Sequence, residues 1–337
     1  MKKINVAIAG LGRLGKVHAK NLAFRIPGAS LVAACSVVNS ELDFAKNELG
    51  VENLYSDFQD MIKQPGLDAV AIVTPSSLHC EQIGQAFDAG LHVFVEKPLG
   101  INVEECKEAE KLVESNQDKV FFLAFMRRYD PNYVYAKEKI KEGKIGKPYM
   151  VKAIGIDPEA GVKEAIRFSP TSGGLFIDMA SHDIDLMRWF LEDEPEKVFA
   201  LGGSYKYKEF SELGDIETGC AMYKFKNGGM GTLHVGRSAR HGYHIETEII
   251  GTEGSIRISP IPAKNQAVVY DKQGVVMECF ENFQERFELA YRAEMEEFIN
   301  CILQDKKPDI SVYDGTRATA ITFATTKALK TGEIVDI

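Results

Sequence analysis

Three glycines near the start of the chain, Gly10, Gly12 and Gly15, spell G-x-G-x-x-G directly after an apolar run and before a helical pattern. In that context Gly10 permits a tight turn, Gly12 lets the backbone approach a pyrophosphate, and Gly15 permits close packing of helix on strand. The helix N-terminus that follows attracts phosphate charge. A glycine-rich turn without a ligand is the alternative, but the flanking pattern favours a dinucleotide site. Its loop also includes Arg13 and Leu14.

Short apolar runs alternate with helical patterns over roughly the first 125 residues. The runs are β-branched and nearly continuous, as in strands that are buried on both faces of a parallel sheet. They read INVAIAG, ASLVAACS, LDAVAIVT, LHVFVEK and KVFFLAF. The helical stretches read SELDFAKNELG, SLHCEQIGQAFDAG and NVEECKEAEKLVES, and the first two end at a glycine. This alternation predicts an α/β, doubly wound Rossmann domain over residues 1–125.

The pattern changes after Phe125. A helix with a proline start and a glycine stop, PNYVYAKEKIKEG, is followed from about Pro148 by longer alternating strands. The clearest hairpins are CAMYKFKNGGMGTLHVG, with its Asn-Gly-Gly turn, and YHIETEIIGTEGSIRIS. Two further helices are predicted over roughly 284–304 and 313–331. Residues 126–337 are therefore predicted to form an α+β domain with a large, mostly antiparallel open sheet.

Composition disfavours several classes of protein. A net charge of −9 argues against a nucleic-acid surface, which needs a basic stripe. No apolar run is long enough to span a bilayer, and the opening segment MKKINVAIAG is predicted to be a first strand and not a signal peptide. Six scattered cysteines with no CxxC predict reduced, buried thiols in a cytoplasmic protein. We therefore expect neither a nucleic-acid nor a membrane partner.

One position departs from the dinucleotide fingerprint. An acidic residue for the ribose hydroxyls normally stands at the end of the second strand, about 20 residues after the last glycine. Here that segment reads ACSVVNS, and Ser36 stands in the place of the acid. A serine can hydrogen-bond a hydroxyl without repelling a 2′-phosphate, but no lysine or arginine follows to attract one. NAD is therefore the favoured cofactor, and NADP stays an alternative.

Two other strand ends carry polar residues. Ligands of open α/β sheets bind outside the carboxyl ends of the strands, and the fourth and fifth strands end in TPSSLH and VEKPLG. Lys97 can be a mere salt-bridge partner or a reactive group. His79, at a helix start, can border the nicotinamide or simply pack. The predicted cofactor contacts at these strand ends are Thr74, Pro75, Ser76, His79, Glu96 and Lys97.

The segment FIDMASHDID, residues 176–185, combines one histidine with three aspartates. A helix is predicted over 174–191, which places Asp178 and His182 one turn apart on the same face and leaves Asp183 solvated. The pair can be an acid–base device, an ordinary helix face or half of a metal site. The acid–base device is favoured, because a metal needs at least three ligands.

The remaining histidines supply no convincing ligand set. His241 and His244 form an HxxH in a predicted strand, which would place their side chains on opposite faces. His18, His92 and His234 are predicted to be structural. We therefore predict no metal.

The glycine fingerprint, TPSSLH and EKP together resemble the Gfo/Idh/MocA oxidoreductases, in which a Rossmann domain precedes an open-sheet substrate domain. The resemblance covers essentially the whole chain. Within the family, FMRRYD (125–130), the helix around FIDMASHDID and HGYHIETEIIG (241–251) are most similar to the bacterial inositol 2-dehydrogenases. It implies that Lys97, Asp178 and His182 are catalytic. The residues assigned to substrate are Arg127, Asp157 and Tyr243.

The resemblance implies NAD-dependent oxidation of a ring hydroxyl of myo- or scyllo-inositol to the keto-inositol. In that chemistry His182 is the general base, Asp178 orients it, and Lys97 stabilises the developing alkoxide. A dehydrogenase or reductase of another sugar or cyclitol, a non-catalytic NAD(P)-linked ligand sensor, and a metal-dependent hydrolase or isomerase are the alternatives. The resemblance also implies a homotetramer formed through the second domain, which would bind substrate and oligomerise.

Overall fold

The structure, a computed structural model, describes residues 3–337, so Met1 and Lys2 of the opening segment lie outside the described residues. The chain forms two compact units. The first extends to Tyr129 and includes Leu289–Thr319, and the second comprises Asp130–Glu288 and Ala320–Ile337. The single boundary predicted after residue 125 therefore differs from the structure, because the chain returns to the first unit near its C-terminus.

The first unit contains a six-stranded sheet. Its strands are β1 (Ile4–Ala9), β2 (Ala29–Cys35), β3 (Asn53–Tyr55), β4 (Ala69–Ile72), β5 (His92–Glu96) and β6 (Phe121–Ala124). They lie in the order β3-β2-β1-β4-β5-β6, and all neighbours are parallel. This confirms the predicted doubly wound sheet, whose order switches between β1 and β4. Ligands bind beyond the strand ends at such a switch.

Five helices follow these strands. They are α1 (Arg13–Lys20), α2 (Asn39–Leu49), α3 (Phe58–Met61), α4 (His79–Asp88) and α5 (Val103–Ser115). The glycine that ends α2, Gly50, has φ +71°, a left-handed conformation that glycine adopts without steric cost. The start of α5 is capped by Asn102, whose side chain accepts a hydrogen bond from the Glu105 amide.

The second unit contains a seven-stranded sheet and a small hairpin. The strands are β7 (Pro148–Pro158), β8 (Pro195–Gly203), β9 (Thr218–Phe225), β10 (Met230–Ala239), β11 (His244–Gly251), β12 (Ser255–Ile258), the hairpin pair β13 (Val269–Asp271) and β14 (Gly274–Val276), and β15 (Val335–Asp336). The large sheet has the order β12-β11-β7-β10-β9-β8-β15. Only the central pair β7 and β10 is parallel among its described neighbours, so the predicted mostly antiparallel sheet is confirmed.

The helices of the second unit are α6 (Pro131–Lys141), α7 (Val162–Ser172), α8 (Leu175–Met179), α9 (Ser181–Leu191), α10 (Glu209–Glu212) and α11 (Phe283–Arg286). The start of α6 is capped by Asp130, with Pro131 in the first turn as the sequence predicts. The helix predicted over 174–191 is divided at Ala180, which ends α8 and precedes α9.

The last two helices are α12 (Glu288–Gln304) and α13 (Val312–Thr331). The apolar side of α12, with Met295, Phe298 and Ile299, is buried in the core of the first unit beside Phe94 and Phe122. Helical periodicity predicts that α12 has an apolar side but not which core it joins, and this is why the boundary prediction missed the return.

Two predictions from composition can be compared with the structure. None of the helices in residues 3–337 is both long and apolar enough to cross a membrane. All six cysteines are free thiols, three of them buried and two partly buried, whereas Cys220 is exposed.

Candidate active site

The glycine loop of the first unit has the geometry that a pyrophosphate requires. Gly10 has φ +88°, and a Cβ there would lie 2.3 Å from the Val73 carbonyl oxygen. A Cβ on Gly15 would lie 2.0 Å from the Gly10 carbonyl oxygen, so the helix and strand pack too closely for a side chain. At Gly12 a Cβ would meet nothing within 4 Å, and no side chain caps the start of α1. The loop therefore leaves the helix N-terminus open to a phosphate, and it fits a dinucleotide.

The end of β2 lies beside this loop, because the Gly10 amide donates to the Cys35 carbonyl at 2.9 Å. Ser36 follows directly and is 7% exposed. Its hydroxyl donates to Glu41 Oε2 at 2.5 Å and accepts from the Val38 amide at 3.0 Å. A carboxylate is thus present at this strand end, supplied by α2. Glu41 was not predicted, because the fingerprint points only to the strand terminus and not to the helix that follows.

The loops that follow β4 and β5 are joined by His79. The ring is 1% exposed, with Nδ1 2.8 Å from the Pro98 carbonyl oxygen and Nε2 3.0 Å from that of Thr74. Burial lowers the pKa of His79, although both carbonyls favour the charged form. Both ring nitrogens therefore contact main-chain oxygens, which favours the packing role among the two alternatives for this residue. The Thr74 hydroxyl in turn donates to Gln82.

The carboxylate of Glu96, which is 5% exposed, is held inside the first unit. Its Oε1 lies 2.7 Å from His18 Nε2 on α1, and its Oε2 accepts from the Lys97 amide at 3.1 Å. Glu96 therefore connects the glycine-loop helix to the residue that the sequence analysis assigns to the alkoxide. Its position favours a supporting role over the direct cofactor contact predicted from the sequence.

A second carboxyl group completes this buried cluster. Glu294, on α12, is 0% exposed and has Oε1 3.8 Å from His18 Nε2. Burial, and then the charge of Glu96, raise the pKa of Glu294 well above its ordinary value, which favours the neutral carboxyl. In residues 3–337, His18, Glu96 and Glu294 are the one group of three potential metal ligands with donor atoms within 4.8 Å of one another. Sequence spacing gave no sign of this group, because its members come from three distant segments.

In the second unit, Asp178 is anchored by an arginine that was not predicted from the sequence. Arg237, on β10, is 1% exposed, and its Nη2 donates to Asp178 Oδ2 at 3.2 Å. Its Nη1 donates to Asp215 Oδ2 at 2.8 Å, and its guanidinium lies 5.1 Å from the centre of the Phe210 ring. Asp215 also accepts from the Leu175 amide at the start of α8. The buried arginine thus fixes one side of α8 and the carboxylate that α8 carries.

His182 lies in the first turn of α9 and is 8% exposed. The Ala180 amide donates to the Phe176 carbonyl at 3.0 Å and the Ala180 carbonyl accepts from the Ile184 amide at 2.9 Å, so Ala180 is bonded to both helices. The prediction that Asp183 is solvated is wrong, because this residue is 0% exposed. Its carboxylate packs against the main chain of Gly155 in β7, where the missing side chain leaves room.

The predicted substrate residues lie on different elements. Arg127 is 4% exposed in a short 3₁₀ helix of the first unit. In the second unit, Asp157 is next to last in β7, and Tyr243 directly precedes His244, the residue of β11 that pairs with Ile156. Tyr243 is 5% exposed, with its ring edge-on to another buried aromatic ring.

The predicted separation of the HxxH side chains is wrong. His241 lies in a turn before β11 and not in the strand, and its Nε2 is 3.1 Å from His244 Nδ1. Burial, followed by the charge of His241, lowers the pKa of His244. The strand period does not apply across the turn, so both rings lie on the same side.

Comparison with known proteins gives a family match for each of the two units. Residues 4–124 match the family model "Oxidoreductase family, NAD-binding Rossmann fold", and residues 133–257 match "GFO/IDH/MocA C-terminal domain". The chain is 35% identical to scyllo-inositol 2-dehydrogenase (NAD(+)) of Bacillus subtilis over 99% of this chain and 96% of that relative. It is 43% identical to the crystal structure of scyllo-inositol dehydrogenase from Lactobacillus casei with bound NAD(H) and scyllo-inositol, with TM-score 0.97 and 99% of each chain covered. For myo-inositol 2-dehydrogenase from Lactobacillus plantarum the values are 41%, 0.98 and 100% of each chain.

The raised pKa of Glu294 predicts that the stability of the protein depends on pH. Because the folded pKa is raised, the folded chain binds more protons than the unfolded chain above the ordinary glutamate pKa, and stability falls as pH rises. Glu294→Gln has no proton to lose, so its Tm relative to wild type should increase from about pH 5 to about pH 8. The matched control is Glu297→Gln on the same helix, whose side chain is 32% exposed and pairs with Lys306. A Tm difference for Glu294→Gln that is the same at both pH values, measured by scanning calorimetry, would contradict a buried neutral carboxyl.

Proposed function

The chain belongs to the Gfo/Idh/MocA oxidoreductase family, and from that premise we propose that it oxidises one ring hydroxyl of myo- or scyllo-inositol to the keto-inositol. It is an oxidoreductase that acts on CH–OH donors with NAD. The observation that carries the choice of an inositol is the full-length likeness to the solved structure of scyllo-inositol dehydrogenase from Lactobacillus casei with bound NAD(H) and scyllo-inositol.

The proposed reaction needs a base for the hydroxyl proton and a donor for the developing alkoxide, while NAD supplies the hydride acceptor. We assign the base to His182, because an imidazole changes its charge near neutral pH. Asp178, held in place by Arg237, orients the imidazole and stabilises its cation. Lys97, whose amide is held by Glu96, donates a charge-assisted hydrogen bond to the alkoxide oxygen.

Substrate selection is assigned to Arg127, Asp157 and Tyr243. Together they offer guanidinium and phenol donors and a carboxylate acceptor, which suit a ring that carries several hydroxyl groups. Such a site discriminates strongly against an analogue that lacks a hydroxyl, because the buried polar groups then go unpaired.

The cell compartment and the assembly are also proposals. Six free thiols support a reducing compartment, and we propose the cytoplasm.

The outward face of β8 and β9 exposes Leu201, Cys220 and Met222, with exposures of 60% for the leucine and 63% for the methionine. Leu201 pairs with Cys220 across the two strands, so these side chains form a continuous apolar area. Such areas mark protein interfaces, and we propose that this one forms a homotetramer.

The assembly is tested by light scattering of the purified protein. Met222→Lys places a charge at the centre of the proposed interface and should shift the mass from tetramer towards smaller species. Val275→Lys, at an exposed site on β14, is the matched control. A wild-type mass of one chain would refute the tetramer.

The function is tested with a panel of cyclitols and sugars, with reduced nicotinamide followed by absorbance. An inositol should give kcat/KM at least ~10⁴-fold above that of cyclohexanol, since a site built to bind hydroxyls rejects analogues that lack them.

The Lys97→Ala variant should lose on the order of 10²–10³ in kcat while calorimetry still detects NAD binding. Lys63→Ala, at an exposed ion pair, is the control. Turnover of another sugar in place of inositol would indicate a different dehydrogenase of the family, and NAD binding without turnover of any substrate would indicate a sensor.

The base assignment predicts the pH profile of Asp178→Asn. A nearby carboxylate favours the imidazolium, so loss of its charge should move the acid limb of kcat/KM to lower pH and lower kcat by ~10²-fold or more. Asp271→Asn on the exposed hairpin strand β13 serves as the control. A normal rate and an unmoved limb in Asp178→Asn would indicate an ordinary helix face, whereas bound zinc in the wild type that both Asp178→Asn and His182→Ala lose would indicate a metal site.

A further inference from the structure

The end of β2 poses a question about cofactor choice. In the Rossmann fold an acidic residue at this strand end binds the ribose hydroxyls of NAD and repels the 2′-phosphate of NADP. The residue here is Ser36, which carries no charge. A serine alone would accept either dinucleotide, yet the family model for this unit describes an NAD-binding fold.

The structure places a carboxylate at this strand end by another route. Glu41, in the first turn of α2, accepts a hydrogen bond from the Ser36 hydroxyl through Oε2 at 2.5 Å. The Val38 amide donates to the same hydroxyl at 3.0 Å, so both the position and the direction of the Ser36 O–H are fixed. Ser36 is buried and Glu41 is half-buried, which leaves the carboxylate partly accessible to a ligand.

The charge of Glu41 is not matched by a basic side chain. In residues 3–337, Glu41 has no lysine, arginine or histidine partner within 4.0 Å. The nearby lysines of α1 point to another part of α2, because Lys16 and Lys20 lie over the Phe44 ring and Lys20 pairs with Glu48. The helix N-terminus favours an ionised carboxylate in the first turn. The strand end therefore presents an unneutralised negative charge.

We propose that Glu41, positioned by its hydrogen bond to Ser36, is the residue that selects NAD over NADP in this protein. Its carboxylate accepts hydrogen bonds from the ribose hydroxyls and repels a 2′-phosphate. The discriminating charge thus comes from the first turn of α2, five positions after the usual place at the strand end. The inference needs only that the chain binds a dinucleotide, so it stands or falls independently of the inositol substrate.

Binding without substrate tests the proposal. Calorimetry gives the dissociation constants of NAD and NADP for wild type, Glu41→Gln and the matched control Glu48→Gln, which changes an exposed glutamate on the same helix. Glu41→Gln keeps the size and polarity of the side chain but removes the charge. It should lower the ratio of the NADP constant to the NAD constant by about tenfold or more, chiefly through tighter NADP binding. Glu48→Gln should leave this ratio at the wild-type value.

Ser36→Ala separates the two members of the pair. If Ser36 only positions Glu41, the alanine variant should lower the ratio by less than Glu41→Gln does, and the double variant should add little to Glu41→Gln alone. A large change in Ser36→Ala with none in Glu41→Gln would make the serine the selective residue and overturn the proposal. An unchanged ratio in both variants would place selection elsewhere. Loss of inositol turnover with the predicted binding ratios intact would contradict the proposed function and not this inference.

Discussion

The hydrogen bonds of one buried carboxylate, that of Glu96, organise the first unit around its cofactor loop. One oxygen contacts His18 on the helix that the glycine loop begins, and the other accepts from the amide of Lys97. A carboxylate that is 5% exposed must satisfy both oxygens inside the protein, because burial of an unpaired charge is costly. Those same bonds fix the start of the segment that carries the proposed alkoxide donor. The position of Lys97 relative to α1 therefore follows from satisfying a buried charge.

The two units accommodate buried carboxyl groups in different ways. In the first unit Glu294 lies close to His18, and burial and the charge of Glu96 raise its pKa, which favours the neutral form. In the second unit Arg237 is placed between Asp215 and Asp178, so the carboxylates are matched by a buried cation. A neutral carboxyl can be replaced by an amide of the same shape without leaving a buried charge unpaired. A buried arginine cannot, since its removal leaves partly buried carboxylates unpaired at a cost of about 3–5 kcal/mol.

Local pattern was sufficient to predict the parallel sheet, the glycine loop and the hairpins. Gly10 and Gly15 admit no side chain in the structure, which is the physical reason that the fingerprint is readable in the sequence. Contacts between distant segments were not predictable in this way. No local pattern marks Arg237 as the buried partner of Asp178, and Asp183, which is predicted to be solvated, is buried where Gly155 leaves space for its carboxylate. Periodicity indicates which face of an element is apolar, but it does not indicate which residue of another element packs against that face.

Glu41 shows why the chemical role that a motif assigns to one position can be filled by a residue at another position. The fingerprint assigns ribose recognition to one place at the end of β2, but the ligand responds to charge and distance and not to sequence position. A serine at that place has a short, buried side chain, which leaves space for the longer side chain of Glu41 on the next helix. The Glu41 carboxylate oxygen Oε2 then lies 2.5 Å from the Ser36 hydroxyl. The Val38 amide removes the rotational freedom that would otherwise weaken this arrangement. Ser36 and Glu41, each held by the other and by the backbone, thereby present the same negative group that one aspartate would present alone.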